Sequence, residues 1–313
     1  MNRLNALTLL LMSLPAGSQL VARTGVSLTG DAVVWPGSVP SSAIYSAGDS
    51  NVATVDGNVA NAMMGPATVR DSYRAIDVSG SARVGRFEAH DIDAEVDADC
   101  IRAHADVVVV RRARCAMTGE PQVGRINMPF GLQVTSAVTV LVEDSSFDNF
   151  QWRAPDSRFW NGEGISIERG VTGVQFRRVT ANNNTDAGFD LKPFAIMSDV
   201  SAANNCRNFR FWAGGDAGTL TTGDVVKRGG TSSCSGIWLN GSQDGPRYKL
   251  HIKKLVVRMS RPAMIIEVEN GPADIEIDEC DIRAPRGSEM IRFEKGAGQV
   301  RLGRGCQALR SVA

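Results

Sequence analysis

Histidine and tyrosine are scarce in this chain of 313 residues, with three of each. So few histidines exclude a dense histidine metal centre. The six cysteines are too few for a disulfide-built scaffold, and no CxxC or Cys/His spacing suggests zinc. Neither charge is in excess. The 34 Lys+Arg and 34 Asp+Glu residues cancel, which argues against a general nucleic-acid grip. No apolar run reaches the roughly 18–20 residues of a membrane span, so none is expected. What is abundant is glycine, 32 residues, a sign of a turn-rich chain. With 43% hydrophobic and 22% charged residues the chain belongs to the folded globular class. Its length suits one large domain or two modest ones.

Residues 1–22 read as a secretory signal. Arg3 gives a positive start, LNALTLLLMSL an apolar stretch, and small residues follow Pro15, with cleavage after Ser18 or Ala22. A secreted or periplasmic location follows from this reading. The alternatives are an N-terminal helix packed on the body or an apolar anchor.

An internal repeat occupies the rest. One half of the unit reads VTVLVEDSSFDN (138–149), VTGVQFRRVTANN (171–183), AIMSDVSAANN (195–205), YKLHIKKLVV (248–257) and ADIEIDECDI (273–282). The other half reads GISIE (164–168), GFDLK (188–192), NFRFW (208–212), GIWLN (236–240) and MIRFE (290–294). Steps from Gly164 to Gly188, Asn208 and Gly236 are 24, 20 and 28 residues. A period of this size made of strands marks a β-solenoid, and the apolar spacing is two rather than 3.6. Ile165 and Ile167, Phe189 and Leu191, Phe209 and Phe211, Ile237 and Leu239, and Ile291 and Phe293 are expected to stack inside.

Asn149, Asn183 and Asn204, followed by Ser232, align as an expected inward amide ladder. Cys206 and Cys234 fall at the same place in neighbouring repeats, within disulfide reach; two stacked free thiols fit the sequence as well. The expected fold is all-β, a single-stranded right-handed parallel β-helix, its hand taken from the general preference of crossovers. Residues 23–70 are assigned to an N-terminal cap or lead-in strands, and 71–313 to the β-helix. A β-sandwich or jelly roll does not predict repeats in register.

If the apolar residues point in, their alternates point out. One outward column runs Ser166, Asp190, Arg210, Trp238 and Arg292; a second runs Glu168, Lys192, Trp212 and Asn240. Just before these strands sit Glu163, Asp186, Arg207 and Ser235. With coils about 4.8 Å apart and i to i+2 about 7 Å, the carboxylates of Glu163, Asp186 and Asp190 are expected to meet. Such oxygens suit Ca²⁺; a salt-bridge ladder is the other reading. The long interruption FDNFQWRAPDSRFW (147–160) adjoins this wall. It carries Trp152, Phe159 and Trp160, and Trp152, Trp160, Trp212 and Trp238 are candidates for holding flat sugar faces. Packing beneath a cover formed by GGDAGTLTTGDVV (214–226) is the alternative for Trp212 and Trp238.

At NGEGI (161–165), NNTDAGFD (183–190) and RNFRF (207–211) the chain resembles the right-handed parallel β-helix polysaccharide lyases, especially the pectate-lyase-like family 9. The resemblance covers about 60 residues well. It implies β-elimination on an acidic, uronate-containing polysaccharide. It also implies that Glu163, Asp186 and Asp190 are calcium ligands and that Arg210 is the base, where the family has Lys. Ala187 replaces one family aspartate, which predicts weaker calcium binding. Arginine is a poor base in general, so Lys192 is the second candidate. Arg207 is expected to neutralise substrate charge, with Trp152, Trp160, Trp212, Trp238 and Asn240 as substrate contacts. Two further readings stand beside the lyase. One is a non-catalytic polysaccharide-binding or spike-type β-helix. The other is a hydrolase using Glu163 and Asp190 as an acid/base pair.

Overall fold

A computed structural model describes residues 21–23, 26–28, 32–35, 44–46, 48–118, 122–123, 128–154, 160–230, 232–242, 247–296 and 298–307. These form an all-β body of two large parallel sheets, of 17 and 11 strands, with a further pair joining 122–123 to 152–153. The architecture is compatible with a parallel β-helix.

In the eleven-stranded sheet every strand pairs with the next one in chain order. The part that matters for function runs Phe130–Ser136, Glu163–Ile167, Ala187–Leu191, Arg207–Phe211, Ser235–Asn240, Met264–Glu269 and Glu289–Phe293. The register follows the apolar pairs. Ile165 lies opposite Phe189, Phe189 opposite Phe209, and Phe209 opposite Ile237. All four are fully buried, as are Ile167, Leu191, Phe211 and Leu239. The Phe189 and Phe209 rings stack with centroids 5.1 Å apart. Near the C-terminal end Ile291 and Phe293 pack on the core while remaining partly exposed.

The seventeen-stranded sheet bends along a line of left-handed residues: Asp91 (φ 53°), Arg112 (50°), Asp144 (52°), Arg178 (52°) and Asp199 (54°). An L-residue in this region is strained unless its surroundings hold it. Here alternating charges do so: Arg112 Nε donates to Asp91 at 2.6 Å, and Arg178 Nε to Asp144 at 2.5 Å.

Pairing crosses residue 70 without a break, for Gly48–Val55 pairs with Ser72–Val78 and Asn58–Met64 with Arg83–His90. Residues on both sides therefore share the same ladders. Of the expected export segment, residues 1–20 lie outside the described residues, and Val21 and Ala22 belong to a strand paired with Ile44–Ser46.

Two expectations need correction. The inward amide ladder is offset by one residue. Asn149, Asn183 and Asn204 adopt left-handed corner conformations, while Asn184, Asn205 and Asn208 are fully buried. Asn184 Oδ1 accepts from Phe150 N at 2.9 Å, Asn205 Oδ1 from Asn184 N at 2.8 Å, and Asn208 Oδ1 from Asn205 N at 3.2 Å. Ser232 is not the next rung, because Asn205 pairs with Val225. Glycine is required beside this ladder: a Cβ on Gly188 would meet Asn208 O at 2.6 Å and Asn205 Nδ2 at 2.8 Å. Second, 214–226 is no cover, since Gly215–Thr222 is a strand paired on one side with Ala195–Ser198 and Val200–Ala203 and on the other with Lys249–Arg258. It is a further copy of the repeat. Of the two states left open for Cys206 and Cys234, the disulfide is the one formed. Cys100–Cys115, Cys206–Cys234 and Cys280–Cys306 are disulfides, and no free cysteine remains among the described residues.

Candidate functional site

The outward column forms as expected. Ser166 stands opposite Asp190, Asp190 opposite Arg210, and Arg210 opposite Trp238. Glu267 then intervenes before Arg292. Glu163, Asp186, Asp190 and Arg207 are all buried on this wall.

Cations separate the acids. Asp186 holds Arg207 Nη1 at 3.1 Å on one oxygen and Arg210 Nη1 at 3.2 Å on the other. Asp190 accepts from Trp212 Nε1 at 2.7 Å and lies 3.4 Å from Lys192 Nζ. Lys192 also donates to Glu168 at 2.6 Å. The Arg210 guanidinium lies over the rings of Trp212 and Trp238, 4.6 and 5.2 Å from their centroids. Arg207 also covers Trp238, at 5.6 Å.

These contacts set the protonation states. Burial opposes the charge of Arg210, but Asp190, Asp186 and Glu163 outweigh it and hold the guanidinium firmly cationic. Lys192 follows the same pattern: burial lowers its pKa, Asp190 and Glu168 raise it, and the net shift is upward. Neither expected base is poised to lose its proton near neutrality. Burial, then the like charges of Asp190 and Asp186, push the Glu163 carboxyl well above the ordinary range. Burial also raises Asp186, against the pull of Arg207 and Arg210.

The set Glu163, Asp186 and Asp190 fits a bound cation poorly. Asp186 already has two guanidinium partners, and Asp190 has an ammonium and an indole. A metal at that point would have to displace them. Among the described residues the carboxylate trio whose ligand atoms all lie within 4.8 Å of one another is a different one: Glu267, Glu269 and Glu294. The sequence signal for it is AMIIEVE (263–269), where Glu267 and Glu269 alternate with buried Ile266 and Val268. It is the repeat unit between GIWLN and MIRFE.

The tryptophans divide into two groups. Trp238 is only 1% exposed, so it offers no face to a sugar and serves as a base for the two guanidiniums. Trp212 is partly buried and bound through its indole N–H to Asp190. The side chain of Asn240 accepts from Asn270 at 3.0 Å. Trp152 and Trp160, in contrast, line a cleft of about 220 Å³ with Gln151, Arg153, Thr185 and Arg228. Phe159 lies outside the described residues.

Thr185 immediately precedes Asp186, so this cleft opens at the head of the ion-paired wall. Arg228 was not legible as a site residue, because no periodicity marks it. Its Nη1 donates to Asn184 O at 2.8 Å and to Asn204 O at 2.6 Å. Among the described residues it has no carboxylate partner, and burial lowers its pKa from the ordinary arginine value. The Trp152 indole nitrogen is buried without a hydrogen-bond partner among the described residues. No helix is long and apolar enough to cross a membrane. No family model, no curated protein and no solved structure matches the chain.

Proposed function

We propose that the protein is an exported, single-stranded right-handed parallel β-helix that binds an acidic polysaccharide without cleaving it. The observation that carries this reading is Arg228, a half-buried guanidinium with no carboxylate partner among the described residues, in a cleft bearing two tryptophans. Indole rings accept the flat apolar faces of sugars, and a guanidinium is matched to a carboxylate. Arg153 adds a second, exposed positive charge. The three disulfides support an oxidising compartment.

The turns that resemble family 9 lyases lie on the adjoining wall, but the wall lacks a free base. Arg210 is tied to Asp186 and Lys192 to Glu168. The reading therefore keeps the scaffold of those enzymes and leaves out β-elimination. Calorimetric titration with oligogalacturonate and with a neutral oligosaccharide of equal length tests it. Preference for the acidic oligomer is expected, reduced about tenfold or more in Arg228→Gln, with no rise in absorbance at the C4–C5 double bond. Absorbance growing with time in the wild type but not in Arg210→Ala restores the lyase.

A second reading rests on Glu163. A carboxyl whose pKa burial and the neighbouring Asp190 and Asp186 raise has the pairing of a general acid with a carboxylate that glycoside hydrolysis uses. Release of reducing ends without double-bond absorbance, lost in Glu163→Gln, favours it.

A further inference from the structure

We propose that Glu267, Glu269 and Glu294 form a binding site for a hard divalent cation of calcium type, on the same sheet as the ion-paired wall but displaced towards its C-terminal end. The inference does not depend on the saccharide reading.

Glu267 and Glu269 are two residues apart on the strand Met264–Glu269, so both project from its outer face. Val268 pairs with Phe293, which sets Glu294 beside Glu269 on the next coil. Each of the three offers a ligand atom within 4.8 Å of the others. Like charges set side by side on neighbouring strands destabilise a sheet. No ion pair to Glu269 or Glu294 is formed among the described residues; the two that Arg292 makes go to Glu267 and Glu289.

The second observation is the state of Glu267. Its side chain is fully buried, and while one oxygen is paired with Arg292, Oε2 has no hydrogen-bond partner. A buried carboxylate oxygen without a donor is costly. A cation coordinated by one oxygen from each of the three carboxylates offsets their mutual repulsion and gives the incompletely paired Glu267 carboxylate a further positive partner. Carboxylate oxygens with open positions for water are the ligand set that calcium accepts. Glu267 is paired in register with Trp238, whose indole lies 5.0 Å from that of Trp212. A luminescent lanthanide at the site would therefore lie close to an indole antenna.

The test is titration of the full chain with Ca²⁺ by calorimetry, alongside Tb³⁺ luminescence excited through tryptophan. One cation per chain is expected, with a dissociation constant of about 0.1–1 mM, the range of extracellular modules. Tb³⁺ emission should rise on binding and be quenched by excess Ca²⁺. Glu269→Gln and Glu294→Gln alter the more exposed members of the trio and spare buried Glu267. Each should lower affinity by about tenfold or more while circular dichroism stays unchanged. Absence of Ca²⁺ heat and of sensitised Tb³⁺ emission at several times the expected constant overturns the proposal. So does binding that the folded Glu269→Gln/Glu294→Gln double variant retains in full.

Discussion

Asp190 and Arg210 face each other across neighbouring parallel strands, with Arg210 Nε 3.7 Å from Asp190 Oδ1. The same guanidinium bonds Asp186 and lies over Trp212 and Trp238. Arg210 is therefore the centre of a buried ionic network, and removing it leaves two buried carboxylates short of a cation. Arg210→Ala is expected to destabilise the fold by about 3 kcal/mol. Arg210→Lys should recover only part of this, because an ammonium cannot reproduce the planar contact with both indoles. Urea unfolding of the two variants measures both effects.

Glu163 gives the stability curve a defined slope. Its folded pKa lies above its unfolded value, so between the two the folded state binds more protons. The contribution is fully favourable below the unfolded pKa, about 4.3, and declines as pH rises towards the folded value. The decline reaches at most about 1.4 kcal/mol per pH unit. Asp91 acts in the opposite sense. Its hydrogen bond from Arg112 holds its pKa below the usual range, so its contribution is present above the unfolded pKa and is lost in acid. Glu163→Gln should flatten the loss of stability from mildly acidic to neutral pH. A melting-temperature profile as steep as that of the wild type would contradict the assignment.

Gly188 is a steric requirement of the amide ladder. Gly188→Ala places a methyl group 2.6 Å from Asn208 O, and neither the backbone carbonyl nor the packed Asn205 amide has room to yield. A loss of about 1–3 kcal/mol is expected. Gly80→Ala, with nothing within 4 Å of the added carbon, should fall within about 0.5 kcal/mol of the wild type. Thermal melts of the pair decide the point.

Cys206 and Cys234 join the entries to the adjacent strands Arg207–Phe211 and Ser235–Asn240 at the edge of the ionic wall, across a sequence separation of 28. In the chain-entropy model, closing a loop of this size stabilises by about 3–4 kcal/mol. The Cys206→Ser/Cys234→Ser variant should lose about that amount and should become insensitive to reductant at this position. Melting with and without dithiothreitol measures both.

The strand register was readable because the apolar residues that set it alternate strictly. The motifs at Gly164, Gly188, Asn208 and Gly236 align in the sequence as their neighbours pair in the fold. The amide ladder was misread by one residue because runs such as NNN at 182–184 offer several asparagines, and only the backbone corner selects which turns inward. The strand Gly215–Thr222 does not read as a repeat copy because Gly, Thr and Asp obscure its alternation, although Ala217 and Leu220 are buried. Glu267 and Glu269 lie in the strand Met264–Glu269, whose AMIIEVE run is apolar on consecutive positions and so hides the alternation of its repeat copy.

Alternation and repeat length are properties of the chain, and they determine a parallel β architecture whose strands have one apolar and one polar face. They also determine which residues share the outer wall, because stacking follows register. What tertiary structure alone decided was the pairing on that wall. Whether Asp186 faces a cation or another acid depends on how side chains from three coils turn towards one another. Arg228 likewise reaches its cleft from a segment with no repeat pattern. Charge partners, burial and protonation arise from distances between coils, and a linear pattern does not encode them.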